Sequence, residues 1–394
     1  MTLVYLDNNA TTKVDKQVIE AMLPYFDVDF GNPSSIYSLA KGAHEALKQS
    51  REVIAKFLGA KNPNEIIFTS CGSESANMAI RGILEANPTK KHIITTAVEH
   101  PCVLNLYKYY EKRGYKVDYI GVDDNGDLKV DDLYSLVNAQ TALVSVMYAN
   151  NETGAIYPVE EIAQKIKEIN PDVKFFTDGV QVAGKIPLNV GETKIDAMGI
   201  SGHKFHAPKG VGALYVKTGT AFAPLIIGGH QQKGKRAGTE NVPYIVGMAK
   251  AAELAMSFLN DELTRVKRLR DKLENGILSK IKNAKLNSKS KFRVPNTTNI
   301  GFEYIEGELI LLYLDEVGIC ASSGSACTSG SLEPSHVLRA QNTPFTSLHG
   351  SIRFSLSRYT TEEEIDYTLE KLPEIIKQIA KISPFQKELE EIFK

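Results

Sequence analysis

The sequence has few cysteines, almost no net charge and no long apolar run. Its 394 residues include 4 cysteines, and 46 basic and 47 acidic side chains leave a formal net charge of −1. Four irregularly spaced cysteines in so long a chain argue against a disulfide framework or a zinc site. The balanced charge gives no general field that would attract nucleic acid or an anionic membrane. We therefore expect reduced thiols. A cysteine with a function would have that function through the chemical reactivity of its thiol.

The sequence also lacks the signals that direct a chain into or across a membrane. Residues 1–7 have neither the basic start nor the apolar run of a signal peptide, and no apolar stretch approaches the ~20 residues of a membrane span. We therefore expect a soluble, cytoplasmic protein. Since single cores stop growing at roughly 250 to 300 residues, the length predicts two domains.

The first two thirds of the chain alternate between strand-like and helix-like segments. The strand patterns cover residues 65–69, 92–96, 116–120, 142–148, 173–177 and 213–216. The helix patterns between them cover residues 75–84, 103–112, 130–136 and 159–169. Such alternation predicts an α/β fold with a mainly parallel sheet and helices on both faces. Ligands bind such sheets at the carboxyl ends of the strands, so the polar residues just after each strand are site candidates.

The C-terminal third has a different pattern. A helical pattern over residues 242–278 exceeds the usual globular length and is expected to cross between the domains. Strand-like segments at 297–302 and 351–356, with helix-like segments at 306–317 and 362–379, predict a smaller α+β domain. Within it lie ten small residues, 321–330, around Cys327. Such a segment cannot pack a core, so it is expected to be mobile and exposed.

Lys204 is the centre of the candidate site. It follows a small, polar turn at 201–203 and precedes an apolar residue, so its amine can be held partly out of water, which lowers a lysine pKa. Upstream, a buried strand ends at Asp178. A carboxylate at a strand end and a lysine at a nearby turn are what pyridoxal phosphate requires, one for its pyridinium nitrogen and one for its aldehyde.

Other polar residues follow the predicted strands. The turn at 70–74 joins a strand to a helix N-terminus, which is an arrangement that binds phosphate, although capping of the helix by Ser73 explains it equally well. His100 and the run 150–152 occupy corresponding turns. A lone histidine is usually structural, yet this position favours a role in a site. The loop 228–241 is too rich in glycine and basic side chains to be a core element.

Eight motifs in this chain resemble those of the NifS/IscS-type cysteine desulfurases, pyridoxal phosphate enzymes of fold type I in the class V aminotransferase group. The motifs are YLDNNATT from Tyr5, GNPSS from Gly31, NNETG from Asn150, DGVQ from Asp178, SGHK from Ser201, RAGTEN from Arg236, SSGSAC from Ser322 and IRFSLSR from Ile352. Each motif is weak alone, but eight in this order are specific. The resemblance implies a large domain at 14–260 with a seven-stranded sheet, and a small domain from 1–13 and 261–394.

The resemblance also implies how pyridoxal 5'-phosphate would be bound. Lys204 would hold it as a Schiff base, Asp178 would pair with the pyridinium nitrogen, and Gln181 would contact the phenolate oxygen beside Asn151. His100 would stack on the ring and move protons. The phosphate would be bound by Gly72, Ser73, Ser201, His203 and, from the second subunit of a homodimer, Thr239.

The implied reaction converts L-cysteine to L-alanine and leaves a persulfide on Cys327 for an iron–sulfur scaffold protein or another acceptor. Arg353 would bind the substrate carboxylate, with Asn32 and Asn151 nearby. Cys102 is the main competitor for the sulfur, because its position at a helix start would lower its pKa. Cys320 ends an apolar segment and is expected to be buried.

Two departures from the family pattern and two rival functions remain. The triplet Cys71-Gly72-Ser73 stands where many relatives have Gly-Ala-Thr or Gly-Gly-Thr, and Tyr37 stands where histidine is common. A selenocysteine lyase or another class V enzyme, such as an aminotransferase, is the first rival; Cys327 argues against an aminotransferase. A non-catalytic sulfur carrier is the second, but it would need no lysine and aspartate pair.

Overall fold

The protein is described by a computed structural model that covers residues 3–323 and 334–393. Strands and helices are numbered along the chain. The strands are β1 (Val4–Tyr5), β2 (Ile66–Thr69), β3 (His92–Thr96), β4 (Lys116–Ile120), β5 (Thr141–Ser145), β6 (Lys174–Asp178), β7 (Ala197–Ser201), β8 (Gly212–Val216), β9 (Ala284–Leu286), β10 (Thr297–Phe302), β11 (Ile319–Cys320), β12 (Ser322–Ser323) and β13 (Ser351–Ser355).

Seven of these strands form one large sheet in the order β2-β8-β7-β6-β5-β3-β4. β8 runs antiparallel to both of its neighbours, and the other pairings are parallel. The predicted α/β class and mainly parallel sheet are therefore confirmed. The carboxyl ends of β2, β3, β5, β6 and β7 all lie at one edge, which brings together the turns that follow them.

Helices cover this sheet and build the rest of the molecule. They are α1 (Lys16–Met22), α2 (Pro24–Asp27), α3 (Ala40–Leu58), α4 (Gly72–Ala86), α5 (Pro101–Glu111), α6 (Val130–Leu136), α7 (Val159–Ile169), α8 (Val242–Asp261), α9 (Lys267–Lys280), α10 (Gly307–Glu316), α11 (His336–Ala340), α12 (Phe345–Leu348), α13 (Glu362–Ala380) and α14 (Gln386–Phe393).

Local sequence signals set several of these boundaries. α3 ends at Gly59, whose φ of 68° is the left-handed conformation that glycine adopts without steric cost. α13 begins with a capping box, in which Thr361 and Glu364 each bind a backbone N–H of the other. α1 ends at Met22 and α2 begins as a separate helix at Pro24, since Pro24 lacks the N–H that would continue α1.

The two largest hydrophobic cores of the described residues are separate from each other. One lies under the large sheet, and the other joins α9, α10 and α13 to a four-stranded antiparallel sheet of the order β12-β13-β10-β9. Val4 and Leu6 pack in the second core, because β1 pairs with β11. This agrees with the assignment of residues 1–13 to the small domain, but the domain boundaries themselves remain a prediction.

The predicted crossing helix is one continuous helix, Val242–Lys280, that contains a π-helical turn at Glu262–Val266. Among the described residues it alone is long and apolar enough to cross a membrane by length and composition, and half of its apolar window is buried. Residues of α8 pack in the first core and those of α9 in the second. This burial is typical of a core helix.

Candidate active site

A cavity of about 570 Å³ opens at the carboxyl edge of the large sheet. β2, β3, β5, β6 and β7 all contribute residues to the wall of this cavity, from their carboxyl ends or from the turns that follow. Predicted site residues that line it are Gly72, Ser73, His100, Asn151, Asp178, Gln181, Ser201, His203, Lys204 and Arg353. Residues far apart in sequence thus meet where the alternation of strands and helices predicts a ligand site.

Lys204 ends a short 3-10 turn, Gly202–Lys204, directly after β7. Its Nζ donates to the backbone carbonyl oxygens of Asn9 at 2.6 Å and Ala10 at 2.8 Å. These two residues were missed as site residues, although they belong to the opening motif that carries the family resemblance. The N-terminal segment therefore holds the amine that the sequence predicts to be reactive.

Asp178 is the last residue of β6 and is buried. Its Oδ1 accepts a hydrogen bond from the Val180 N–H at 3.0 Å. Burial raises the pKa of this carboxyl, and the nearby charges of His100 and Lys204 oppose that rise. A buried carboxylate needs a cationic partner, so the position suits a group that carries a positive charge into the cavity.

His100 caps the N-terminus of α5, since its Nδ1 accepts the backbone N–H of Cys102 at 3.2 Å. An accepting Nδ1 carries no proton, so the neutral ring has its hydrogen on Nε2. Burial lowers the pKa of His100; Asp178 opposes this and Lys204 adds to it. The cap fixes the ring at the cavity wall and keeps it neutral near physiological pH.

The start of α4 forms one end of the cavity. Cys71, and not Ser73, caps this helix, because its Sγ accepts the Glu74 N–H at 3.4 Å. Ser73 is therefore not needed as a cap, and with Gly72 it faces the cavity. The acidic Glu74 is neutralised by Arg236, whose Nε donates to it at 2.8 Å. The helix N-terminus thus remains suited to an anion.

The donor set at this end fits the phosphate of pyridoxal phosphate. Ser201 Oγ is buried in the cavity wall with no hydrogen-bond partner among the described residues. A Cβ on Gly72 would come within 2.8 Å of Val180 Cγ2, so only glycine leaves this part of the cavity open. A buried hydroxyl without a partner beside a helix N-terminus matches an oxyanion ligand. Burial, Lys204 and Lys209 lower the pKa of His203 to about 4, so it acts as a neutral group.

Arg353 lies in β13 and is buried at the other side of the cavity. Its Nη2 pairs with Asp7 Oδ1 at 2.6 Å, and its Nη1 donates to the Asn151 carbonyl oxygen at 3.0 Å. Its Nε is buried without a hydrogen-bond partner among the described residues. A preset guanidinium with an unused N–H suits the binding of a carboxylate.

Two predicted residues, Asn32 and Thr239, are not brought to this cavity. Asn32 is exposed, and its Oδ1 accepts the Ser34 N–H at 3.0 Å within its own turn. Thr239 is exposed and lines a second cavity, of about 180 Å³, with Arg236 and Glu240. Neither residue lines the main cavity within one chain. Cys327, with the segment expected to be mobile, lies outside the described residues.

Two expectations about the other cysteines are wrong. Cys102 sits at the start of α5 and lines the cavity, but burial, the largest effect, raises the pKa of its thiol rather than lowering it. The helix N-terminus is too weak to overcome the loss of water around the thiol. Cys320 is half-buried in β11 rather than buried.

Glu99 is a buried carboxyl in the same turn as His100; the turn was predicted as a site candidate, but no role was predicted for Glu99 itself. Its Oε1 accepts the Met147 N–H at 2.7 Å and the Thr96 hydroxyl at 2.9 Å, and burial raises its pKa to about 8. Its Oε2 has no partner among the described residues. Burial of Glu99 therefore favours its neutral form.

Replacing Glu99 with glutamine is expected to flatten the dependence of stability on pH. The folded-state pKa lies above the ordinary value of 4.5, so the stability associated with this group is fully present below about pH 4.5 and is lost as the pH rises through about 8. The free energy of unfolding of Glu99→Gln minus that of the unmodified protein should therefore increase as the pH rises from 5 to 9. These pH limits apply to within about one pH unit. Denaturant titrations across that range measure it, and parallel curves would contradict the assignment.

Comparison with known proteins places these residues in a family. The class-V aminotransferase family model matches residues 4–368. The cysteine desulfurase of Trichormus azollae is 56% identical over 386 residues, which cover 98% of this chain and 96% of the relative. Cysteine desulfurase NifS of Azotobacter vinelandii is 52% identical over 385 residues, which cover 98% of this chain and 95% of the relative.

A solved structure described as a NifS-like protein supports the same grouping. It superimposes with a TM-score of 0.90 and 40% sequence identity, over 95% of this chain and 100% of that one. The likeness covers the fold as well as the sequence, so the predicted fold and the family resemblance are both confirmed. The chain belongs to the class-V aminotransferase family, within its NifS-like, pyridoxal-phosphate-dependent cysteine desulfurases.

Proposed function

We propose that this chain converts L-cysteine to L-alanine with bound pyridoxal phosphate and leaves the sulfur atom on Cys327 for iron–sulfur cluster assembly. The observation that carries the proposal is the meeting of Lys204, Asp178 and His100 in one cavity with a helix N-terminus. An amine, a buried carboxylate and an anion site are the three requirements of that cofactor.

Different residues around the cavity would bind different parts of pyridoxal phosphate. Asp178 would face the ring nitrogen, Lys204 Nζ would hold the aldehyde carbon, and Gln181 with Asn151 would contact the phenolate oxygen. The phosphate would be bound by Gly72, Ser73, Ser201, His203 and the partner's Thr239. When bound, the cofactor supplies an electron sink for the charge that develops at the substrate Cα.

Proton transfer would be carried out by Lys204 and His100. The carbonyl oxygens of Asn9 and Ala10 hold Lys204 Nζ at the cavity wall, so the amine is positioned to take the proton from Cα of L-cysteine. His100 has its hydrogen on Nε2 and is fixed through Nδ1; to move a proton it would take one up at Nδ1, in exchange for its hydrogen bond with the Cys102 N–H, and release the one on Nε2. Neither residue needs to move far to act.

Arg353 would bind the carboxylate of the substrate. Its guanidinium is already oriented by Asp7 and Asn151, which lowers the entropic cost of placing it. Asn32 lies outside the cavity within one chain, so its proposed role beside Arg353 requires a contribution from a second chain. The same requirement holds for Thr239.

Cys327 would accept the sulfur. Its thiolate attacks the substrate sulfur, an S–S bond forms, the substrate Cβ–S bond breaks, and that bond's electron pair stays with the carbon skeleton that becomes alanine. Support comes from the described residues on both sides of its segment: Ser322 pairs with Arg353 across β12 and β13, and Pro334 lines the cavity. The persulfide would pass to an iron–sulfur scaffold protein or another acceptor in the cytoplasm.

Assay of three substrates with the purified yellow protein tests this function. With a thiol added to reduce the persulfide, L-cysteine should yield alanine and sulfide in equal amounts, and activity with L-selenocysteine should not exceed it. L-Alanine with a 2-oxo acid should give no amino transfer. A preference for selenocysteine would instead indicate the lyase, and amino transfer would indicate an aminotransferase.

We further propose a homodimer whose sites are shared, and subunit mixing should reveal it. Lys204→Ala and Thr239→Ala subunits form heterodimers in which one site has an intact Lys204 and, from the partner, an intact Thr239. The mixture should therefore be more active than either parent. The matched control mixes Lys204→Ala with Asp178→Ala, which lie in the same half of a site, and should recover nothing. Absence of recovery in the first mixture, with subunit exchange verified, would contradict sharing.

A further inference from the structure

Lys185 is a buried lysine in the turn region after β6 that the proposed chemistry does not use; it is 6% exposed. Its Nζ donates to Gln181 Oε1 at 2.9 Å and to Asn9 Oδ1 at 2.9 Å. We propose that Lys185 is a positioning residue that orients the amides of Gln181 and Asn9, and so determines which polar atoms face the cofactor. This inference rests on the proposed role of Gln181 at the phenolate oxygen.

Lys185 determines the orientation of the Gln181 side chain. An amide side chain has an acceptor end and a donor end, and the two are nearly equal in shape. Because Lys185 can only donate, it selects Oε1 of Gln181 and turns Nε2 toward the other side. There Nε2 donates to the Asn9 carbonyl oxygen at 3.2 Å, and Gln181 lines the cavity. Its second N–H, without an acceptor among the described residues, is available for an oxygen atom of the cofactor.

Asn9 connects Lys185 to three residues of the site, Lys204, Gln181 and Asn151. The Asn9 backbone carbonyl accepts from Lys204 Nζ at 2.6 Å, and its Nδ2 donates to the Asn151 carbonyl oxygen at 3.1 Å. Lys185 donates to the acceptor end of this amide together with Asn296, whose Nδ2 donates to it at 3.2 Å. One buried amine therefore orients Gln181 directly and helps to hold Asn9, whose backbone carbonyl contacts both Lys204 and Gln181.

The surroundings explain how a lysine is tolerated there. Glu262, from the π-helical turn, and Arg358 line with Lys185 a polar cavity of about 20 Å³. Burial lowers the pKa of Lys185 to about 7, and Glu262 opposes that shift. Only the protonated amine lacks a lone pair, so Lys185 selects the acceptor ends of Gln181 and Asn9 in its charged form, which Glu262 favours.

A spectroscopic titration tests the proposal without turnover. A hydrogen bond donated to the phenolate oxygen favours the form in which the Lys204 nitrogen has lost its proton, and the visible absorption band reports that proton. In Lys185→Met the titration midpoint should rise by about one pH unit, the size of one typical hydrogen bond. Gln181→Ala should give a similar rise, and the double variant no more than either one, because both remove the same donor.

Lys167 provides the matched control. It is also a largely buried lysine, but its Nζ donates to Asp196 at 2.7 Å and to the Val173 carbonyl oxygen, which precede β7 and β6 at the opposite edge of the sheet. Lys167→Met should lose stability and leave the titration midpoint unchanged. An unshifted midpoint in a folded, cofactor-bound Lys185→Met overturns the inference, as does an equal shift in Lys167→Met.

A second variant keeps the test decisive if Lys185→Met does not fold. Gln181→Glu places a carboxylate against Lys185, so it should retain unmodified stability or gain some while its titration shifts as in Gln181→Ala. A loss of stability in Gln181→Glu equal to that in Gln181→Ala would overturn the inference. The proposed function is tested separately, by turnover of L-cysteine in the unmodified protein; an active protein whose variants fail these tests contradicts the inference alone.

Discussion

Replacing Lys204 with alanine is expected to abolish the covalent attachment of pyridoxal phosphate and to lower turnover by about a thousandfold or more. The Lys204 amine would both hold the aldehyde carbon and remove the Cα proton, so one substitution removes two functions. The carbonyl oxygens of Asn9 and Ala10 hold that amine and no other described lysine lines the cavity. No other lysine of the described residues is therefore placed to replace the Lys204 amine.

Reduction with borohydride and peptide mapping measure the attachment. In the unmodified protein the reduced adduct should map to Lys204, and in Lys204→Ala no adduct should form. Lys217 offers a control, because it follows β8 at the opposite edge of the sheet and donates to the Thr193 carbonyl oxygen at 2.7 Å. Lys217→Ala should keep both the adduct and the turnover. An adduct on any other lysine of the unmodified protein would show the assignment to be wrong.

Replacing Cys327 with serine is expected to lower sulfide release by roughly a thousandfold or more, as the loss of a nucleophile does. The cofactor should remain bound and yellow, since the residues proposed to hold it are Lys204, Asp178 and the α4 turn. L-Cysteine should still change the visible spectrum on binding. The protein should accumulate no persulfide, because a serine hydroxyl does not form a bond to sulfur under these conditions.

Two other cysteines, Cys320 and Cys102, provide controls for the loss of sulfide release in Cys327→Ser. Cys320→Ser should retain full activity, since Cys320 lies in β11 and does not line the cavity. Cys102 is nearer, but burial raises the pKa of its thiol and keeps it protonated. Unchanged sulfide release in Cys327→Ser, or its loss in Cys320→Ser, would contradict the role of Cys327.

The sequence was sufficient to predict the parallel strands and the edge at which the site lies. Most strands at the centre of the sheet are runs of apolar and β-branched residues, as in Ile93 and Ile94 of β3, and such runs are recognisable alone. β7, Ala197–Ser201, was missed because its small residues and Gly199 give a weak strand pattern. Its position in the sheet comes from burial between two neighbouring strands, which no local pattern reveals.

The contacts within the site were less accessible from the sequence. Lys185 and Glu99 are charged residue types that are usually exposed, and only their surroundings in three dimensions make them buried. The thiol pKa of Cys102 was predicted in the wrong direction, because helix position can be read from sequence but desolvation cannot. The positions of Asn32 and Thr239 outside the cavity likewise reflect the packing of one chain.

A single turnover measured without reductant tests the central claim most directly. The yellow protein is mixed with one equivalent of L-cysteine per bound cofactor, alanine is quantified, and the peptides are mapped by mass. We expect close to one alanine per cofactor and one additional sulfur atom on Cys327. Alanine without added sulfur on Cys327, or the additional sulfur on Cys102, would contradict the claim.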